Sequence, residues 1–343
     1  MKQKLYLLTE NDGFFGQGLH PWQSLKVDEI ERILSAIFDV TRITWMQISS
    51  GIVCPSNSII VHSSSQQQEY KCFIDDLLLY LFCAGNHLVP SIHATRSHDN
   101  KGYQELHKRL LGITSLQAIY ACKPEELPRP ELENTIVFKE ISGYGSSGVK
   151  LVHSKQELER IAASDHIAIS WRELFLFIRR RVGRLVRWVT GRYKPNAVAD
   201  HYHQPLKRFI LQEFIRDLAG DYKVIAFQDA FFVLKRSVPA NDFRASGSGL
   251  FEYIDPPVEL LEFSKDLIDK FNEPYMSFDI AEKDGGFFLL EFQGLHFGPY
   301  TVIHADYYYS KEGGEWKKIK KEHSFEAYLA NSLVKQISGI VKQ

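Results

Sequence analysis

The sequence predicts a mixed α/β and α+β protein: an open α/β domain, then a small sheet domain, then a larger antiparallel-sheet lobe. Three observations carry this. Strand and helix signals alternate over residues 1–97. Short apolar strands recur from Phe209 onward. A hairpin near the end, about Ser277 to Gln293, sets acidic and amide side chains on one face. At 343 residues the chain has room for two or three modules and a substantial core.

In the first region, Leu5–Leu8 reads as a strand and Val27–Leu34 opens an amphipathic helix. Ile43–Ile48 and Ser58–His62 read as strands and Glu69–Phe82 as a helix. This βαβ order predicts a small open sheet with helices packed on it over residues 1–97. A linker helix and a small lid domain are expected over 98–210, and the larger lobe over 211–343.

Residues 101–119 begin with a helix opened by Lys101 and end in Gly112-Ile113-Thr114. Ile136–Glu140 is a short apolar strand carrying Lys139, and it runs into Ser142-Gly143-Tyr144-Gly145-Ser146-Ser147-Gly148. Such a loop offers backbone N–H groups to a phosphate, although no Gly-Lys-Ser/Thr follows to make a Walker loop. A plain hairpin turn is the bland alternative. A lysine at the end of an interior strand needs an anionic partner, and phosphate oxygens are a natural one.

Further on, Phe209–Ile215 is a strand, followed by Gly220-Asp221 and by Ala230–Arg236. Basic residues recur at these strand ends, which is also how ordinary edge strands are charged. Then comes the hairpin. Lys283-Asp284-Gly285-Gly286 is its turn, and Glu291 and Gln293, two apart, share one face of their strand. With Asp279 beside them, three oxygen donors suit a hard cation such as magnesium. Two solvated acids at a polar hairpin end are the competing explanation.

In this order the segments resemble the ATP-grasp superfamily, specifically the branch of the ribosomal-protein glutamate ligase, with glutathione synthetase and D-alanine–D-alanine ligase more distant. The resemblance runs from about Lys101 to Gly298. It implies an ATP-grasp fold with an N-terminal pre-grasp domain, a lid and a C-terminal lobe, ATP being held between two lobes. It further implies roles. Lys101 and Lys139 would contact phosphates, and the loop with Gly143, Gly145, Ser146, Ser147 and Gly148 would cover them. Glu213, Phe214 and Ile215 would form the adenine hinge and Asp221 would bind the ribose. Arg236 and Arg244 would face the γ-phosphate and an acyl phosphate. Asp279, Glu291 and Gln293 would hold one or two Mg2+ ions. Two features depart from the family pattern: Gln293 stands where asparagine is usual, and no asparagine follows Arg244. The longer side chain moves the amide oxygen by about one C–C bond.

Composition sets bounds. A hydrophobic content of 44% is ordinary for a globular protein, and a net charge of −1 gives no global attraction to nucleic acid. Cys54, Cys72, Cys83 and Cys122 lack metal spacing and read as reduced, mostly buried thiols of a cytoplasmic protein. The N-terminus reads as a first strand rather than a signal peptide, and no stretch approaches ~20 apolar residues.

One segment stands apart. Residues 171–194 carry a net charge of +7, leaving the remainder near −8. Trp171, Leu174, Phe175, Ile178, Val182, Leu185 and Val189 fall on one helical stripe. Such a basic amphipathic helix suits an anionic membrane surface. The same pattern also fits a stripe packed on the lid, or an arginine-lined groove for an acidic substrate. His201 and His203 read as surface residues. His296, just after the hairpin, either faces substrate or is a packed loop histidine.

The expected activity is that of an ATP-dependent carboxylate–amine ligase working through an acyl phosphate, with ATP and Mg2+, on a cell-surface polysaccharide precursor at the inner membrane face. A peptide-modifying ligase is the alternative within the enzyme class. The rival from another class is a non-catalytic, ATP-binding regulatory or scaffold protein, which Gln293 favours and Lys139, Asp279, Glu291 and Arg244 oppose.

Overall fold

The computed structural model describes residues 2–18, 23–127, 135–143, 148–164, 207–240 and 242–342, with 175, 178–179, 182–183, 186 and 188–190 of the basic stretch. The chain divides into two compact units. One comprises Met1–Gln117, Ile141–Ser147 and Ile215–Gln343; the other comprises Ala118–Glu140 and Gly148–Phe214.

The first sheet of the larger unit is parallel. Its strands β1 (Lys4–Thr9), β2 (Asp39–Thr44), β3 (Ile59–Val61) and β4 (His87–Val89) lie in the order β2-β1-β3-β4. Parallel neighbours need long crossovers. Helices α1 (Val27–Ile37), between β1 and β2, and α3 (Gln68–Cys83), between β3 and β4, lie in two of them. Leu5, Leu7 and Leu8 are fully buried, as expected of a central strand covered on both faces.

The expected strand at Ile43–Ile48 is displaced. The strand ends at Thr44, and α2 (Trp45–Ser49) begins there. Thr44 and Gln47 form a reciprocal capping box, which satisfies first-turn N–H groups and turns an apolar run into a helix. The cysteines also differ from expectation: Cys54, Cys72 and Cys83 are exposed and Cys122 is half-buried. Cys72 and Cys83 lie on α3, whose buried face is supplied by Ile74, Leu78 and Leu81. Helices α4 (Ile92–Ser97) and α5 (Lys101–Leu110) follow, and Asn100 caps α5 by accepting from the Tyr103 N–H.

The smaller unit holds an antiparallel sheet. Strands β5 (Ala118–Ala121), β6 (Ile136–Glu140), β7 (Val149–Val152) and β8 (Phe209–Glu213) are ordered β5-β8-β6-β7. Ile136, Phe138, Phe209 and Leu211 build its core with Leu158 of α6 (Lys155–Ser164). Lys139 alternates with Phe138, so it lies on the opposite face from this core.

The second sheet of the larger unit is antiparallel. It contains β9 (Gly220–Phe227), β10 (Ala230–Ser237), β11 (Phe251–Glu252), β12 (Met276–Lys283), β13 (Gly286–Gln293), β14 (Tyr307–Glu312) and β15 (Glu315–Lys320). The order is β13-β12-β9-β10-β14-β15, with β11 paired to β10. Alternation sorts its side chains. Tyr222, Val224, Ala226, Phe231, Val233, Phe278 and Phe292 pack under α7 (Val258–Phe271). On the other face Ile225, Phe227 and Phe232 join Tyr328, Leu329 and Leu333 of α9 (Phe325–Val341) and Ile30 and Leu34 of α1. That second core ends short of Lys223, Leu234 and Ser277. Beyond it the same face turns polar, and the candidate site lies there.

Candidate active site on the polar sheet face

Register brings the acids together. Asp279 lies opposite Glu291, and Ser277 opposite Gln293, with a bulge just beyond Asp279. On the other side of β12, Asp279 lies opposite Lys223. Asp221 is two residues before Lys223 and lies opposite Arg236 on β10. Five charged side chains from four adjacent strands therefore share one surface.

The charges are paired. Lys223 Nζ donates to Asp279 Oδ1 at 2.9 Å. Arg236 Nε and Nη2 donate to the two oxygens of Asp221 at 2.6 and 2.7 Å, and Nη2 lies 2.9 Å from Asp279 Oδ2. Burial pushes the Asp279 carboxyl up, but Arg236 and Lys223 outweigh it and hold it well below the usual carboxylate range. For Asp221 burial prevails, and its carboxyl is raised although Arg236 pulls the other way. Glu291 is engaged differently: Lys101 Nζ is 3.4 Å from its Oε1.

Lys101 also donates to the Gly143 carbonyl at 2.9 Å, while the Gly143 N–H donates to Asp99 at 3.0 Å. The Lys101 N–H bonds the Ile141 carbonyl at 3.0 Å. The first turn of α5 thus fastens the entry to the Gly/Ser loop. Gly143 has φ +129, a conformation favouring glycine. Gly145, Ser146 and Ser147 lie outside the described residues, as do His201, His203 and much of 171–194.

Other expected site residues sit as follows. Arg244 is clamped by Asp242, Nε to Oδ1 and Nη2 to Oδ2, both at 2.9 Å. In the smaller unit, Lys139 is half-buried opposite Ile210 on β8, Glu213 ends that strand exposed, and Phe214 is half-buried. Also there, Gly148 has φ +72, and a Cβ on it would stand 2.6 Å from Glu140 Cγ. Ile215 packs in the larger unit against Leu116 and Ala281.

His296 is a packed histidine. Its φ is +48, its Nε2 bonds the Ser64 carbonyl, and its ring stacks on His98 at 5.2 Å. Burial lowers it to about 4 and lowers His98, which His296 also repels, to about 3.

Sequence reasoning missed Lys223 as a site residue. The available signal was its spacing of two from Asp221 on an otherwise apolar strand. The buried pair Lys108–Glu105, 2.7 Å apart under β13, was missed as well; Lys108 also donates to the Leu289 carbonyl at 3.2 Å.

The donor set fits a hard cation. Two carboxylates lie opposite each other, Gln293 supplies an amide oxygen two positions on, and the buried Ser277 hydroxyl beside Gln293 has no hydrogen-bond partner among the described residues. No three His, Cys, Asp or Glu side chains converge among the described residues, so a third ligand would be the Gln293 amide.

No family model matches the chain, and no curated protein matches it. Solved structures do. The D-cycloserine synthetase DcsG matches with a TM-score of 0.54 at 13% identity, covering 97% of this chain and 99% of that one. The D-alanine–D-alanine ligase of Bacillus anthracis, complexed with ATP, matches at 0.51 and 14%, covering 99% of each chain. The ATP-grasp ligase PsnB, complexed with minimal precursor, Mg and ADP, matches at 0.51 and 13%, covering 97% of this chain and 98% of that one. The chain has the ATP-grasp fold. Its sheets, one parallel and two antiparallel, are those of a mixed α/β protein. The polar face of the antiparallel sheet carries Asp221, Arg236, Asp279, Glu291 and Gln293 side by side.

Proposed function

We propose that the protein is an ATP-dependent carboxylate–amine ligase. The observation that carries this is the opposition of Asp279 and Glu291 beside Lys101, Lys223 and Arg236 on one sheet face, in a fold shared with ligases whose structures hold ATP, or Mg and ADP. A carboxylate oxygen bonds to the γ-phosphorus while the bond to the bridging oxygen breaks and ADP leaves with the electron pair. An amine nitrogen then bonds to the acyl carbon, loses a proton, and expels phosphate.

The residues divide this work. Lys101 and Lys139 would neutralise phosphate oxygens, and the glycines and serines of the Gly143–Gly148 stretch would offer them backbone N–H groups. Glu213, Phe214 and Ile215 present backbone groups to the adenine, and Asp221 accepts from the ribose. Arg236 and Arg244 offset charge on the transferred group. Asp279, Glu291 and Gln293 would hold Mg2+, which when bound supplies charge neutralisation at the phosphates.

The stretch 171–194 supports a peripheral contact with anionic membrane. Among its described residues Phe175, Ile178, Val182, Trp188 and Val189 are all at least half exposed, and the segment carries +7. No helix among the described residues is long and apolar enough to cross a membrane. A surface contact of this kind suits a lipid-linked or cell-surface polysaccharide precursor as substrate. Sedimentation with vesicles rich in anionic lipid at low salt tests it; protein left in the supernatant removes the membrane contact.

The activity test is phosphate release from Mg-ATP with pools of amino acids and sugar acids, comparing wild type with Glu291→Ala. Release that needs a pool and disappears in the variant is expected. ATP binding without release in any pool would instead make this a non-catalytic nucleotide binder.

A further inference from the structure

A cleft of about 440 Å³ opens on the polar face, within the range of small-molecule sites. Lys223 and Arg236 line it at one end. Lys223 gives one hydrogen bond to Asp279, and an ammonium has three to give. The turn at Gly247, Ser248 and Gly249 forms one side, with φ +81 and +72 at its two glycines.

Three exposed aromatic side chains stand on the rest of the rim, among Leu250, Thr301 and other lining residues. Phe251, Tyr253 and Tyr300 are 56%, 41% and 49% exposed, although large aromatic side chains are usually covered. Their placement is fixed by the fold. Phe251 on β11 lies opposite Arg236, so its ring stands one strand away from the guanidinium. Tyr253 Oη donates to the carbonyls of Tyr300 and Thr301 at 3.2 and 3.3 Å, tying the strand to α8 (Tyr300–Ile303). Tyr300 in turn packs on His304, ring centroids 5.1 Å apart. At Gly298 a Cβ would meet nothing within 4 Å, so the wall there is open.

We propose that this cleft binds the carboxylate substrate and that its aromatic rim selects an acid borne on a sugar ring over an open-chain acid. The proposal rests on the ligase reading and deepens it. Lys223, with ammonium hydrogens beyond the one given to Asp279, takes the carboxylate beside Arg236, which Asp221 and Asp279 hold in place. Aromatic faces suit a pyranose, whose C–H groups form flat apolar patches and whose hydroxyls point outward to polar rim atoms. An extended acid offers no such face and leaves the rings wet.

The test is calorimetric titration of the full chain with glucuronate, with open-chain gluconate and with acetate, both with and without a non-hydrolysable ATP analogue and Mg2+. Glucuronate is expected to bind at least tenfold more tightly than gluconate. Tyr300→Ala should erase that ratio, and Gly298→Leu, which fills the open wall, should weaken glucuronate and spare acetate. Equal binding of the ring and open-chain acids, or a ratio untouched by both substitutions, overturns the proposal. Phosphate release separates the two readings. Ring-selective binding with no release under any acid keeps the cleft assignment and removes the ligase. Release with open-chain acids alone keeps the ligase and removes the ring selection.

Discussion

Asp279 and Glu291 stand opposite each other on adjacent strands, yet they hold different cations: Lys223 and Arg236 grip Asp279, while Lys101 reaches Glu291 from 3.4 Å. Asp279 is nearly buried, its side chain 14% exposed, so removing its charge strands Lys223 in a poorly solvated place and leaves Arg236 to Asp221 alone. Asp279→Asn is therefore expected to cost about 3–5 kcal/mol. Glu291→Gln, at a longer and wetter contact, should cost under about 1 kcal/mol. Urea unfolding of the two variants checks this, and equal losses would contradict the division of roles.

Acid should weaken the fold in two stages. His98, His107 and His296 are lowered by burial to about 3, 4 and 4, from 6.5 in the free side chain. The unfolded chain therefore takes up protons first, and stability falls as pH drops from about 6.5 toward 4. Asp279 adds a second loss. Its depressed folded value means its contribution is full above about 4 and fades below. His98→Gln should flatten the first stage by roughly one proton, about 1.4 kcal/mol per pH unit, in unfolding free energies measured from pH 7 to 4.5.

Glu273 should act in the opposite sense. It is buried, accepts the Ser91 N–H, and is pushed by burial up to about 7. The folded state holds its proton where the unfolded state has lost it, so its ionisation costs stability as pH rises from about 4.5 to 7. The full penalty is on the order of 3 kcal/mol. Glu273→Gln should accordingly raise the melting temperature more at pH 8 than at pH 5, by scanning calorimetry. A gain independent of pH would show that the carboxyl is not the cause.

Gly220 is required for packing. A Cβ there would lie 2.1 Å from the Arg236 carbonyl oxygen. Gly220→Ala must push β9 and β10 apart next to the Asp221–Arg236 pair, at a cost of about 3 kcal/mol. Unfolding measurements check the cost; a neutral substitution would mean that the strands separate freely there.

Much of the architecture was legible because hydrophobic period and turn chemistry are local. The hairpin Met276–Gln293 with its turn at Asp284-Gly285, the α5 start at Lys101 and the buried run Leu5–Leu8 all follow from neighbours in the chain. The error at Ile43–Ile48 was also local: Thr44 and Gln47 form a capping box, and the apolar pattern concealed it. Exposed Cys72 and Cys83 were misjudged because the general tendency of cysteine to be buried says nothing about which face of α3 they occupy.

By itself the sequence determined which residues alternate on each strand, and so that Glu291 shares a face with Gln293, and Asp221 with Lys223. Only the tertiary structure decided who meets whom. Strand order and register put Lys223 against Asp279 and Phe251 against Arg236, pairs 56 and 15 positions apart. The reason is physical. Side-chain direction on a strand is set by its own backbone, whereas a cross-strand partner is chosen by the burial of whole sheet faces, which no local segment encodes.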